Sequence, residues 1–172
     1  IQSKLLFRSS DLHNITINDI SYVQTLEVGQ VIDFRTDEEI YTATDILPAE
    51  IKIIHLNVLQ DSAAPYRDTS QFLTQLTNFG TSEETSQVIQ RIDNEFGEGR
   101  AYSAMLTVYE QMVSLPSAQK AYGEFLHILS ALNKPLIFHC SAGKDRTGWA
   151  TVLVQKLLGV SDEEIIATYL ES

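Results

Sequence analysis

Short apolar runs rich in branched and aromatic residues alternate along the chain with longer stretches whose apolar residues recur every three or four positions. The short runs are 4–8 (KLLFR), 30–34 (QVIDF), 50–59 (EIKIIHLNVL) and 135–139 (PLIFH), and their length and composition predict strands. The longer stretches predict helices. Residues 16–29 open on Thr16-x-x-Asp19 and stop at Gly29, 69–79 stops at Gly80, 82–96 at Gly97, and 101–115 at Pro116. Residues 117–132 end at the Asn133-Lys134-Pro135 break, 147–159 closes on Gly159, and Ser161-x-x-Glu164 caps a last helix. Residues 60–68 (QDSAAPYRD) read as a loop. Strands separated by helices predict an α/β fold, with a central, mostly parallel sheet flanked by helices and function beyond the carboxyl ends of the strands.

Composition narrows the function class. A length of 172 residues, 44% of them hydrophobic, suits one globular domain spanning 1–172. No repeat or linker divides it, and no apolar run approaches the ~18 residues of a membrane span. The net charge of −11 repels nucleic acid and anionic membrane in bulk, so an anion pocket has to be a local exception, and Lys144 with Arg146 is the candidate. The lone cysteine, Cys140, forms no internal disulfide, which suits a cytoplasmic or a secreted location alike. The start at Ile1, without methionine or leader, reads as a trimmed end. His13, His55 and His127 show no metal-ligand spacing, and neither a metal nor an organic cofactor is expected.

Cys140 follows the apolar run 135–139 directly, and five residues separate it from Arg146. Thr147-Gly148 then begin a helical pattern. A strand that passes through a short loop into a helix presents successive backbone N–H groups at one point, where the helix dipole also favours negative charge. The same donors stabilise a thiolate, and this matters because an ordinary thiol, with a pKa of ~8.5, is only slightly ionised at neutral pH. Gly143 allows a bend other residues resist, and Arg146 can grip two phosphate oxygens in a bidentate fork. The pattern is suited to nucleophilic attack on phosphorus.

The segment "HCSAGKDRTG" resembles the Cys-x5-Arg signature of protein tyrosine phosphatases, in the form found in a bacterial group of tyrosine and lipid phosphatases. The stretches 6–12 (LFRSSDL), 31–39 (VIDFRTDEE), 120–129 (KAYGEFLHIL) and 157–172 (LLGVSDEEIIATYLES) are similar to that group as well, so the resemblance covers nearly the whole chain, with both ends expected to be trimmed. It implies a cysteine-dependent tyrosine phosphatase-like fold and hydrolysis of phosphate monoesters through a phosphocysteine, with phosphotyrosine the first substrate and phosphoinositides the second. On this resemblance Cys140 is the nucleophile, and the amides of Ser141, Ala142, Gly143, Lys144, Asp145 and Arg146 hold the phosphate. Arg146 clamps it, Thr147 donates its hydroxyl to the cysteine sulfur, and His139 supports the loop. Lys144 adds charge for multiply phosphorylated head groups. Asp145 is the first choice for the general acid, and Asp61, in the loop after the third strand run, is its rival.

Plainer readings stand beside these. A cysteine after an apolar strand is ordinarily inert core, and only the following Gly-x-x-Arg-Thr-Gly turns that reading round. Asp33, Arg35 and Glu38 read as structural ion pairs at a strand end, Tyr66 and Arg67 as a solvated turn, and the aromatic and methionine positions of 101–115 as core. A nucleotide-binding Gly-x4-Gly-Lys-Ser/Thr loop is excluded because Phe138 stands where its first glycine belongs and Asp145 follows the lysine. A sulfur-transfer loop answers less well to the Arg-Thr-Gly helix start. A non-catalytic phosphate-binding module stays as the alternative to an enzyme.

Overall fold

Four short strands, β1 (Leu6–Ser9), β2 (Gln30–Asp33), β3 (Lys52–His55) and β4 (Leu136–His139), pair in the order β1-β4-β2-β3, every pair parallel. The computed structural model describes residues 5–62, 97 and 100–171. Within these run helices α1 (Ile17–Thr25), α2 (Asp37–Thr42), α3 (Arg100–Ser114), α4 (Pro116–Ser130), α5 (Asp145–Leu157) and α6 (Asp162–Leu170). The helices expected over 69–79 and 82–96, and the turn at Tyr66 and Arg67, lie outside the described residues. Among the described residues no helix is long and apolar enough to cross a membrane.

The sheet is covered on both faces because its inner strands are apolar at consecutive positions. Val31 of β2 and Ile137 of β4 point to one side, where they meet Leu12, Val23, Val28 and Ile51. Ile32, Leu136 and Phe138 point to the other and pack under α4. There Phe125 stands edge-on to Phe34, with ring centroids 5.3 Å apart and planes at 82°, and lies 5.2 Å from Phe138. Buried aromatics of this size contribute both area and ring geometry, and they seat α4 against the strands whose ends form the site.

Several local expectations are corrected. Helix α1 keeps its Thr16 capping box but stops at Thr25, and the chain reverses at Glu27, whose φ of 54° is left-handed, before it reaches Gly29. Strand β3 takes only four of the residues 50–59. Beyond it Leu56, Val58 and Leu59 still enter the core, and the Leu56 N–H bonds the Asp33 carbonyl at 2.8 Å, so the apolar run continues into a buried turn instead of a ladder. Helix α2 was not foreseen at all; it is a single capped turn and a half built on Thr36. Helix α5 begins at Asp145, two residues before the apolar periodicity starts.

The register places Ser9, Asp33 and His139 level with one another at the carboxyl edge of the sheet. The chain continues from β1, β2 and β4 on the same side, bringing residues from three distant stretches of sequence to one edge, where ligand sites of open parallel sheets form.

Candidate active site

Strand β4 delivers Cys140 to this edge, and residues 141–144 turn into α5. Cys140 is 2% exposed and packs among the core side chains, so the thiol is recessed at the base of the turn. The loop is held from outside by its carbonyls. The Cys140 carbonyl faces His139 Nδ1 at 3.1 Å, the Ser141 carbonyl accepts the Asp11 N–H at 2.9 Å, and the Gly143 carbonyl accepts the Arg8 guanidinium at 2.6 Å. No described peptide bond is cis, and in a planar trans peptide the C=O and the next N–H point opposite ways. Tethering these three carbonyls therefore turns the N–H groups of Ser141, Ala142 and Lys144 away from their anchors.

Helix α5 adds its own donors. Its first intrahelical bond runs from the Gly148 N–H to the Lys144 carbonyl at 2.7 Å, and Lys144, at the N-cap, makes no side-chain cap. The amides of Asp145, Arg146 and Thr147 thus stand at an uncapped helix start, where backbone donors and dipole favour an anion. Gly143 is obligatory here for two reasons. Its φ is 67°, and a Cβ would lie 2.2 Å from the Ser9 carbonyl oxygen, inside the backbone of β1.

Arg146 is buried and held by a residue that the sequence reading did not select. Its Nη1 donates to Glu39 Oε2 and its Nη2 to Glu39 Oε1, both at 2.7 Å, and the Ser141 hydroxyl donates to the same Glu39 Oε1 at 2.5 Å. Glu39 occupies the third position of the α2 capping box, with Oε2 also accepting the Thr36 N–H at 2.8 Å. Burial alone would raise its pKa, but the Arg146 bonds and charge, Ser141 and Thr36 together lower it to about 2. The Thr36-x-x-Glu39 pattern was the available signal, and it marks a helix start in sequence without showing what lies 107 residues away. Glu38, expected among the neighbouring ion pairs, is exposed and stands outside the buried cluster around Arg35.

The rest of that expectation holds. Arg35 binds Asp33 at 2.8 Å and Asp45 at 3.0 Å, and donates to the Ala43 carbonyl at 2.7 Å. His139, fully buried, lies 3.1 Å from Asp45 Oδ2 in a contact whose geometry falls short of a hydrogen bond. Burial works against the Asp45 charge, but His139, the Leu12 N–H and Arg35 outweigh it and lower its pKa. Asp33, Asp45 and His139 are close enough to share a metal ion, yet Arg35 already supplies the counter-charge to both carboxylates. His139 thereby joins this buried cluster to the Cys140 carbonyl.

The two candidate acids have different neighbours. The Asp145 side chain, at the first position of α5, accepts the Tyr109 hydroxyl. Asp61 instead caps α4: its carboxylate accepts the Ser117 N–H at 2.9 Å, and its own N–H donates to Ser117 Oγ at 3.2 Å. Helix α4 has Leu115 at its N-cap and Pro116 next, with no cap of its own, so Asp61 fills a structural need. Thr147 is fully buried, and its hydroxyl has no hydrogen-bond partner among the described residues, so the expected bond to the cysteine sulfur is not made here. Ala142 and Lys144 are exposed at the mouth. Tyr109, read as core, is a half-buried polar contact of the site, and nothing in the α3 periodicity marks it out.

The Glu39 geometry yields a first prediction. Because its folded pKa lies below the ordinary 4.5, its contribution to stability is fully present above pH 4.5 and disappears as pH falls through about 2; the shift corresponds to roughly 3 kcal/mol. Glu39→Gln, which removes the carboxylate facing a buried arginine, should cost about 3–5 kcal/mol at pH 7 in denaturant unfolding. The gap from the wild type should narrow as pH falls from 4.5 to 2. A gap independent of pH would show that the ion pair is not the source.

The chain is 30% identical to the triple specificity protein phosphatase PtpB of Mycobacterium tuberculosis over 172 residues, which cover 97% of this chain and 60% of that protein. Over 54 residues, 31% of this chain and 19% of the other, it is 46% identical to a Cupriavidus necator protein provisionally named a tyrosine-protein phosphatase. The chain thus spans 60% or less of the length of these relatives. A model of the tyrosine phosphatase family matches residues 1–172, and the chain belongs to that family.

Proposed function

We propose that the protein hydrolyses phosphate monoesters, phosphotyrosine foremost and phosphoinositides in addition, through a phosphocysteine formed on Cys140. The observation that carries this reading is the Arg146 guanidinium, locked in a fork by Glu39 at the foot of a loop whose carbonyls are tied outward. A phosphate entering the turn would meet the amides of Ser141 through Arg146 and the arginine, a donor set that stabilises charge developing on the equatorial oxygens without reorganising during reaction. Holding Arg146 and the Ser141 hydroxyl on one carboxylate sets that arrangement before substrate arrives.

In the first step the Cys140 thiolate forms the S–P bond while the ester P–O bond breaks, and the leaving oxygen takes a proton from the general acid. In the second, water attacks phosphorus, the S–P bond breaks, and the resulting carboxylate takes the proton from water. Asp145 is assigned as this acid because it stands beside the loop, whereas Asp61 is committed to the start of α4. Thr147, whose buried hydroxyl has no hydrogen-bond partner among the described residues, is assigned to stabilise the departing thiolate. Lys144 is exposed at the mouth and carries a charge to which a second phosphate would be drawn. The single-domain span of 1–172 and action without a metal or organic cofactor belong to the same reading.

Cys140→Ser should abolish turnover of an aryl phosphate while binding of a phosphotyrosine peptide, read by calorimetry, persists. Retained turnover would overturn the mechanism, and a wild-type protein that binds without releasing phosphate would make the chain a phosphate-binding module. Asp145→Asn should lower kcat on a phosphotyrosine peptide by about 10²-fold or more. Asp61→Asn should leave kcat within about twofold and lower stability by roughly 1 kcal/mol as a weakened helix cap; the reverse ranking of the two variants would move the acid to Asp61. Lys144→Ala, at fixed ionic strength, should reduce activity on phosphoinositides more than on phosphotyrosine, by on the order of tenfold. Equal losses would mean that Lys144 shapes the loop and does not read the ligand.

A further inference from the structure

Beside the phosphate loop, three polar side chains from three helices form a line that ends on the assigned acid. Asp145 opens α5, Tyr109 lies in α3 and Tyr169 in α6. The Tyr109 hydroxyl donates to Asp145 Oδ1, and Tyr169 lies close enough to Tyr109 for the two phenols to bear on each other's ionisation. A carboxylate only accepts, so the single Tyr109 proton points to Asp145.

The arrangement is built into the helix start. Gly148 lies three residues after Asp145, on the same face of α5, and the Tyr169 ring rests against it so closely that a Cβ there would be 2.7 Å from the ring edge. The absent side chain at 148 thus admits Tyr169, and Tyr169 supports Tyr109. Burial, with the Asp145 bond next, pushes the Tyr109 phenol well above its ordinary range, so it stays a donor wherever the enzyme works. Of the cations around the loop, Arg8 is bonded to the Gly143 carbonyl while its charge also reaches Tyr169, Lys144 is exposed, and Arg146 is paired with Glu39.

We propose that Tyr109, backed by Tyr169, is a positioning residue for the general acid: it holds Oδ1 of Asp145 and leaves Oδ2 to carry the proton to the leaving group. The inference rests on the assignment of Asp145 made above. When Oδ2–H protonates the departing ester oxygen as the P–O bond breaks, the charge left on the carboxyl is met by the Tyr109 O–H; when water attacks in the second step, the same carboxylate takes up its proton. A residue that merely packs α3 against α5 would affect folding and all substrates alike.

Leaving-group dependence separates these roles, because proton donation matters most for a poor leaving group. In the full chain, Tyr109→Phe should lower kcat/KM for phenyl phosphate by about tenfold and for 2,4-dinitrophenyl phosphate by less than about twofold, with binding of inorganic phosphate unchanged. Tyr169→Phe should give a smaller change of the same pattern. In an Asp145→Asn background, Tyr109→Phe should cause no further loss, since both act on one step. Equal losses across the two substrates, or losses that multiply in the double variant, would overturn the positioning role while Asp145→Asn still shows its own leaving-group dependence. An Asp145→Asn variant with no such dependence would instead overturn the acid assignment, and the role of Tyr109 with it.

Discussion

The ion pair between Arg146 and Glu39 is the constraint on which the site rests. Each partner is nearly fully buried, and neither charge would be tolerable there alone. Their two parallel bonds of 2.7 Å fix the guanidinium plane, and Glu39 itself is fixed by the capping box of α2. A six-residue helix, too short to be stable by itself, is thereby made part of the site: its first turn faces the start of α5 across the edge of the sheet. The order of the strands makes this possible, because β2 and β4 are neighbours although about a hundred residues separate them.

Around that pair the loop is shaped by pulling rather than by filling. Bonds from β1 and the segment after it, through Arg8 and Asp11, and from His139 hold three carbonyls outward, and the planar peptide does the rest. The close approach of β1 to Gly143 closes the arrangement, since any larger residue would meet the Ser9 backbone. Behind it the Arg35 cluster links the carboxyl ends of β2 and β4 and stiffens the base from which Cys140 emerges. In a chain of net charge −11, backbone donors, a helix dipole and one buried arginine converge at this turn, and at short range such groups outweigh a diffuse surface field that salt screens.

Much of this was legible in the sequence by itself. Consecutive apolar residues in 30–34 and 135–139 call for strands buried on both faces, the alternation with helices calls for a parallel sheet, and Cys140, Gly143 and Arg146 at their spacing call for a tight turn between a strand and a helix, because these are demands of short-range geometry. Thr16 and Ser161 announce their helices for the same reason. Only the tertiary structure decided which carboxylates matter. Glu38 and Glu39 are indistinguishable in composition, and one is solvated while the other is buried against Arg146; Asp61 and Asp145 are the same residue type, and one caps α4 while the other accepts the Tyr109 hydroxyl. The difference is physical: a side chain's chemistry is local and can be read from its neighbours in the chain, whereas its charge state, partner and burial are set by residues that folding brings across the sheet edge from tens to a hundred positions away.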